Sequence, residues 1–254
     1  RGGITNNRTF TAGSGIPTFD TNSQALGGTL SIPSVTVTTV TLTNNGALTV
    51  TTALAGTGGL TNAGTGTLNI DFTGAVGIGT LTASAIGNTV DYGYDGTQTI
   101  AAIGYHHLTL STSGAKTLQT GTTAIAGNLT LSGTASTTTV VGLAVSGNLA
   151  VGDGTTFTAA GYALTVTGTT TVGGGTTGVL NITSATGAKI FVGLVTVTAN
   201  GTWNNSGNSP VTFRGGITNN STFTAGSGIH TFDTNSQALG GTLSIPSVTV
   251  TTVT

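Results

Sequence analysis

Residues 127–151 read GNLTLSGTASTTTVVGLAVSGNLAV, and this stretch contains one short phrase twice. GNLTL at 127–131 returns as GNLAV at 147–151. In each phrase the apolar residues occupy alternate positions, so a strand would bury one side and turn the other to solvent. Glycine and asparagine precede each strand, and both residue types tolerate tight corners. The stretch therefore predicts short strands that return at a regular interval, as the coils of a repeat protein do.

The pattern Gly-x-[Leu/Val]-x-[Ile/Val/Leu] recurs along the chain at spacings that are often close to this interval or to a multiple of it, without a strict register. Its glycines are Gly28, Gly46, Gly66, Gly127, Gly147, Gly178, Gly193 and Gly241. No segment shows a sustained helical period, so the chain is predicted to be all-β. The positions expected to pack in its core include Leu129, Leu131, Leu149, Val151, Leu180, Ile182, Val195 and Val197.

A much longer repeat overlies this short one. Residues 1–41 return as residues 214–254 with two changes, Arg8 to Ser221 and Pro17 to His230. The chain therefore divides into one long unit, residues 1–213, and the start of the next unit, residues 214–254. We expect it to be a window from a tandem array. If each coil takes about 20 residues and coils stack at ~4.8 Å, one unit makes about ten coils and ~50 Å of rod.

The composition excludes several classes of partner and chemistry. The chain has 5 Lys or Arg and 6 Asp, which is 4% charged residues and a net charge of −1, against about a quarter in an average globular domain. This balance gives no basic surface for nucleic acid. The chain has no Cys, which removes disulfides and thiol chemistry. Its apolar runs are far shorter than the ~18 residues of a membrane span, so none is expected in this segment.

Two all-β architectures fit many short strands: tandem β-sandwich domains and a β-solenoid. Sandwich domains would need linkers and a buried aromatic anchor, whereas the chain shows no change of composition and has one Trp. A solenoid also explains the low charge, because like charges stacked at ~4.8 Å would repel by ~0.9 kcal/mol per pair even in water. We therefore predict a right-handed parallel β-helix, since parallel crossovers are right-handed in nearly all cases. Tandem sandwiches remain the alternative.

Several longer phrases resemble a known kind of protein. They include GGTLSIPSVTVTTVTLTNNGALTV at 27–50, TTAIAGNLTLSGT at 122–134 and NGTWNNSGNSPVTF at 200–213. These phrases resemble the giant repetitive surface proteins of bacteria, similar in style to filamentous haemagglutinin and autotransporter passenger repeats. The resemblance covers essentially the whole chain. It implies secretion, a β-solenoid rod and a position at the cell surface or in extracellular fibres, and it carries over no catalytic residue.

The segment 91–107 holds most of the residue types that could carry chemistry. Asp91 and Asp95 are the only close pair of acids in the sequence, and the tyrosines nearby could stack on sugar rings. The candidate glycan contacts are Tyr92, Tyr94 and Tyr105; the alternative is a surface loop whose aromatic residues cover the core. His106 and His107 would point to opposite faces of a strand and could not share a metal. No catalytic, cofactor-binding or metal-ligating residue is predicted.

These observations predict a non-enzymatic structural component of an extracellular or cell-surface filament, with identical rods as possible lateral partners. The alternative is the stalk of an adhesin that presents a binding tip outside this segment. Two minor alternatives are a solenoid that binds surface glycans and one that binds ice. Ice binding is suggested by frequent Thr-x-Thr pairs, but their spacing along the chain is irregular.

Overall fold

The computed structural model describes residues 2–13 and 15–251. Within those residues the chain forms only strands and no helix, and the strands wind into a β-solenoid of about 12 turns. In chain order the strands are β1 (Ile4–Asn6), β2 (Thr18–Phe19), β3 (Gln24–Val37), β4 (Thr41–Asn44), β5 (Ala47–Asn62), β6 (Thr67–Ile70), β7 (Gly77–Thr82), β8 (Thr89–Tyr92), β9 (Gln98–Thr99), β10 (His107–Leu110), β11 (Ser113–Thr117), β12 (Ala124–Ile125), β13 (Leu129–Leu131), β14 (Thr134–Thr138), β15 (Leu143–Val145), β16 (Leu149–Val151), β17 (Thr156–Ala159), β18 (Leu164–Val166), β19 (Thr170–Val172), β20 (Gly178–Ile182), β21 (Lys189–Phe191), β22 (Val195–Val197), β23 (Gly201–Asn204), β24 (Val211–Phe213), β25 (Ile217–Asn219), β26 (Thr222–Thr224), β27 (His230–Phe232), β28 (Leu239–Gly241) and β29 (Val248–Val250).

Each turn has three sides, and the strands on each side pair with those one turn above and below. What we call the first face is the ladder Leu30, Leu48, Leu68, Val90, Leu108, Leu129, Leu149, Thr170, Val195, Ile217 and Leu239. The second face carries Phe19 and Val37, and further along Gln98, Lys116, Phe157, Leu180, Trp203 and Phe223.

The third face begins with the ladder Ile4, Leu26, Asn44 and Asn62. Thr61 pairs with Thr82 on the next coil, so Asn62 is in line with Ala83 and the ladder continues there. From there it continues as Ala83, Tyr105, Ile125, Val145, Val166, Phe191, Phe213, Phe232 and Val250. The first and third faces therefore have continuous ladders from Leu30 to Leu239 and from Ile4 to Val250, whereas the second face is made of two sheets that are not paired with each other between Ile78 and Gln98.

Parallel pairing decides between the two predicted architectures. Sandwich sheets are antiparallel, whereas the named strand pairs among the described residues are all parallel, as the example of Leu129 with Leu149 shows. The solenoid prediction is therefore confirmed, and the tandem-sandwich alternative is wrong. A closed stack of short parallel strands suits this sequence because Thr, Val and Ile favour extended backbone and Gly and Asn form the corners.

The core is a narrow column inside the three faces. The eight apolar positions singled out in the sequence lie in this column, each at most 1% exposed: Leu129, Leu131, Leu149, Val151, Leu180, Ile182, Val195 and Val197. On the strand Leu129–Leu131, the intervening Thr130 points outward and is half-buried between its neighbours above and below. The alternation of apolar and polar residues in each short phrase thus becomes an inside and an outside.

One corner explains why glycine opens the recurring phrase. Gly147 lies between the third and first faces, directly above Gly127 of the preceding coil, and a Cβ at this position would lie 2.6 Å from the Gly127 carbonyl oxygen. The backbone of one coil therefore leaves no room for a side chain on the next. Asn148 follows, and its backbone N–H donates to the Asn128 side-chain oxygen at 2.9 Å. On the next coil the Asn148 side-chain oxygen accepts a hydrogen bond from the Thr169 backbone N–H, also at 2.9 Å.

The junction between residues 213 and 214 leaves no mark on the fold. Val195 before the junction pairs with Ile217 after it, and Phe191 pairs with Phe213, which pairs with Phe232. The ladders continue from the long unit into the start of the next one without a break. The two units therefore share one core rather than forming separate domains.

The two near-copies differ in burial because they differ in what lies above them. Leu26 is fully buried beneath the coil that contains Asn44, whereas its equivalent Leu239 is 56% exposed, and no coil of the described residues lies above it. We predict that amide hydrogens of residues 26–37 exchange more slowly than those of residues 239–250. Hydrogen exchange with mass spectrometry can compare them, because peptides that begin at Pro17 or His230 differ in mass. Equal exchange would contradict the idea that each coil is protected by the next one.

Leu149 tests the core assignment. Its side chain is fully buried on the first face, so Leu149→Ala should lower the free energy of unfolding by about 2–5 kcal/mol through lost burial and a cavity. Thr130→Ser, an outward change one coil away, is the control and should change it by less than about 0.5 kcal/mol. Urea unfolding of both variants measures the difference, and equal midpoints would show that Leu149 does not pack in the core.

Candidate functional site

The polar segment 91–116 winds through slightly more than one turn of the rod near its middle. It begins at the outward Asp91 of β8, runs through the corner Tyr94–Gly96 to β9, and meets Lys116 of β11 on the next coil. Asp95 forms a bridge with Ser113 of that coil, and its carboxylate accepts a hydrogen bond from the Ser113 hydroxyl. This segment gathers more polar and charged side chains than the Thr-rich surfaces around it.

Two of the three candidate glycan-contacting tyrosines lie in the core. Tyr92 and Tyr105 are each 1% exposed, and their hydroxyl oxygens are 3.0 Å apart. The Tyr105 hydroxyl donates to the Ala101 carbonyl at 2.8 Å and the Ala101 N–H donates to the Tyr92 hydroxyl at 2.9 Å, so Tyr92 donates to Tyr105. Burial raises the pKa of both phenols, which stay protonated. Tyr92 and Tyr105 were predicted as candidate glycan contacts, and this prediction is corrected because both side chains are buried.

The sequence contained the signal for Tyr92. It lies two residues after Val90, so on a strand it shares the buried side with Val90, and the alternation rule places both inside. Tyr94 comes after the strand and is half-buried at the corner. Of the three tyrosines proposed as glycan contacts, Tyr94 is thus the one with a side chain at the surface.

Lys116 is the main functional-looking residue that the sequence reasoning missed. Its side chain is fully buried on the second face, yet its amine is surrounded by oxygen. It donates to the Tyr94 carbonyl at 2.6 Å, the Gly96 carbonyl at 3.1 Å and the Gln98 side-chain oxygen at 2.7 Å. All three donors of an ammonium group are therefore used. Burial lowers the pKa of Lys116, although the nearby carboxylate of Asp91 acts in the opposite direction.

Lys189 repeats this arrangement at a corner of the third face. It is 1% exposed, and its amine donates to the carbonyls of Tyr162, Thr186 and Gly187 at 2.8 to 2.9 Å. Burial lowers its pKa as well. In both lysines the amine thus donates three hydrogen bonds to oxygen atoms of a corner and its neighbouring strand.

Asp91, Asp71 and Asp95 are the acids whose charges act on Lys116, and the first two lie together. Side-chain oxygens of Asp71 and Asp91 and the Ser111 hydroxyl crowd the space beside Gly93, where a Cβ would lie 2.7 Å from Asp71 Oδ1. The Ser111 hydroxyl donates to Asp91 at 2.8 Å. Burial raises the pKa of both carboxyls, and the nearby charge of Asp71 raises that of Asp91 further. This arrangement can accept hydrogen bonds from hydroxyl groups.

His107 belongs to the corner ladder that begins the recurring phrase. Its Nδ1 accepts a hydrogen bond from the Asn128 backbone N–H at 2.9 Å. One coil later the Asn128 side-chain oxygen takes the same role and accepts from the Asn148 backbone N–H. The ring is therefore deprotonated at Nδ1 when the ladder is intact. Its neighbour His106 accepts from the Gly87 N–H at 3.2 Å through its own Nδ1. Each of the two adjacent histidines thus accepts a hydrogen bond from a backbone N–H group of another coil.

A shallow groove of about 300 Å³ crosses the third face near the start of the rod. It is lined mainly by threonine hydroxyls and backbone, from Thr39, Val40, Thr41, Thr57, Gly58, Gly59, Leu60, Thr61, Thr80 and Thr82. The groove forms where the register shifts between Gly56 and Gly59. Its lining contains neither a charged nor an aromatic residue, so it presents neutral hydroxyl and peptide groups together with apolar side chains such as Val40.

Comparisons of this chain with protein-family models, with curated proteins and with solved structures give no match. Over residues 2–13 and 15–251, no three histidine or carboxylate side chains come together as they would around a metal ion. The part of the chain that the structure describes contains no apolar helix of membrane-spanning length.

The His107 contact predicts a pH dependence. Burial, and to a lesser degree His106, lowers the pKa of His107, so the unfolded chain takes up a proton at higher pH than the folded chain. The stability that His107 contributes is therefore full above its ordinary pKa of about 6.5 and falls as the pH drops below that value. Urea unfolding at about pH 7.5 and about pH 5.5, on either side of that value, should give a lower midpoint at the acid pH.

His107→Asn is the matched variant for this prediction. The side-chain oxygen of an Asn at position 107 can accept a hydrogen bond from the Asn128 backbone N–H, in the way that the Asn128 oxygen accepts from Asn148. Unlike the imidazole, the Asn side chain does not titrate. The drop in midpoint between the two pH values should be smaller in the variant than in the unmodified chain. His230, whose pKa is also lowered by burial, contributes equally to both proteins. The same drop in both would contradict the role of His107.

Proposed function

We propose that this chain is a segment of a non-enzymatic structural protein that forms a rod in an extracellular or cell-surface filament. The observation that carries the proposal is the unbroken pairing of Val195 with Ile217 across the junction between the long unit and the start of the next. Units that share one core lengthen a rod without adding a hinge. A continuous solenoid is stabilised mainly by contacts between neighbouring coils, so its length can grow with the number of repeats.

The outer surface is consistent with a structural role. On the first face the outward row runs Thr49, Asn69, Asp91, Thr109, Thr130, Ala150, Thr171, Thr196 and Thr218, with one charge among the nine. A face with little charge offers little electrostatic repulsion to an identical neighbour. Lateral bundling of identical rods is therefore part of the proposal.

Export is supported by composition and by resemblance. The chain has neither Cys nor Met, so it lacks the side chains that are oxidised most readily outside the cell. Its phrases resemble those of giant repetitive bacterial surface proteins. A bacterial surface is therefore the proposed location, and the adhesin stalk is the second form of the same function, with a binding tip carried elsewhere.

Length measurement tests the rod. Chains with one, two and three copies of residues 1–213 should appear in electron micrographs as straight rods of constant width, each copy adding ~50 Å. The solenoid has a continuous core at every junction, so bends should not be concentrated at the junctions. Beads joined by flexible links, or a length that does not grow by this step, would contradict the proposal.

Antibody labelling tests the location. Antibodies raised against this chain should label intact source cells or isolated surface filaments, with permeabilised cells as the control for internal protein. Labelling only after permeabilisation would contradict export. Labelling along the whole filament supports the structural component, whereas labelling confined to the base of a tipped fibre supports the stalk.

A further inference from the structure

The two near-copies, residues 1–41 and 214–254, lie on different faces of the rod. Ile4 pairs with Leu26 on the third face, whereas its equivalent Ile217 pairs with Leu239 on the first face. Phe19 lies on the second face and its equivalent Phe232 on the third. Each equivalent residue in the second copy has therefore advanced by one face.

The local winding of the two copies is nevertheless the same. Ile4 is opposite Leu26, and the equivalent residues Ile217 and Leu239 are opposite each other, so the coil has the same length in both places. The change of face therefore does not come from a different register within the copy. It accumulates along the coils between them.

Following the third face gives the size of this offset. From Ile4 the ladder makes ten steps to Phe213, each step being one turn: Ile4, Leu26, Asn44, Asn62, Ala83, Tyr105, Ile125, Val145, Val166, Phe191 and Phe213. Ile217 then lies on the next face of the same coil. The long unit, residues 1–213, is thus ten turns and one third of a turn, not a whole number.

We propose that successive units of an array are turned by one third of a coil relative to each other, so each surface of the unit is presented on three sides of the rod in turn. A given surface returns to the same face every third unit, after ~150 Å. The partner that such a display fits is a second copy of the same rod. A surface that binds an identical neighbour then meets neighbours on three sides and gives a bundle rather than a flat sheet.

The three faces are alike enough to make this offset possible. Thr5 on the third face and its equivalent Thr218 on the first both point outward, while Ile4 and Ile217 both point toward the core. Each face has the same inside–outside alternation, so a strand that suits one face suits the next. The inference rests on the proposed function only in placing these units in an array of rods.

Distances between labels within this chain test the offset directly. The chain has no Cys, so pairs of introduced cysteines carry spin labels at chosen sites only. Three outward positions on one coil serve as references: Thr130 on the first face, Thr138 on the second and Ala144 on the third. Six double variants then pair each reference with Thr5→Cys or with Thr218→Cys.

The expected pattern differs between the two copies. The label at Thr218 should be nearest to that at Thr130, four rungs away along the first face and therefore ~19 Å plus the label linkers. The label at Thr5 should be nearest to that at Ala144. If Thr5 and Thr218 are nearest to the same reference, the unit is a whole number of turns and the inference is overturned.

Tandem chains test the consequence for an array. Six units with one biotinylated cysteine each, at the position of Thr130, should bind streptavidin on three sides of the rod in electron micrographs, with units 1 and 4, 2 and 5, and 3 and 6 labelled on the same side. Labels along one side would overturn the inference.

These outcomes do not depend on export, so surface labelling of cells can fail while the rotation between units is confirmed, and the rotation can fail while surface labelling succeeds. Circular dichroism of each labelled variant, matched to the unlabelled chain, shows that the β fold is retained.

Discussion

The stacking of each coil on the next is the interaction on which the rest of the structure depends. Backbone hydrogen bonds run along the rod, so each residue lies ~4.8 Å from the residue at the same place on the neighbouring coil. A side chain is therefore acceptable only if it tolerates a similar neighbour. Thr130 between Thr109 and Ala150 satisfies this rule, and so does the glycine at 147, where the backbone below leaves no room for a Cβ. The low charge of the chain follows from the same rule.

The few charges that remain are placed where stacking tolerates them. Lys116 and Lys189 lie on strands and point inward, and their amines reach corners where the chain leaves the sheets and its carbonyl groups need other donors. Arg214 and Asp233 lie on neighbouring coils and form an ion pair at 2.9 Å, so here stacking brings opposite charges together. These four charged residues thus form contacts that join or complete the coils.

The alternation of residues allowed most of the fold to be predicted and part of the candidate site. Leu129 and Leu149 were placed correctly because a buried strand face is a local pattern. Tyr92 follows the same pattern, and its assignment to the surface came from giving weight to residue type over position. The cage around Lys116 could not be predicted, because its acceptors Tyr94, Gly96 and Gln98 lie one coil earlier in the chain. To predict contacts between coils, one must know which residues stack on each other, and the irregular glycine spacing does not give this register.

The same irregularity concealed the turn count. The coil from Thr170 to Val195 is longer than the coil from Leu30 to Leu48, because its strands are joined by longer connections at 173–177 and 183–188. Dividing the length of the unit by an average coil length therefore gives about ten coils and does not reveal the additional third of a turn. Yet this third decides where every surface residue of the next unit points. A chain can change the length of a corner loop without changing the turn count, but adding or removing one strand with its corner rotates all that follows. The symmetry of such a rod is thus set by the number of strands in the unit, and sequence identity between copies does not imply that they face the same way.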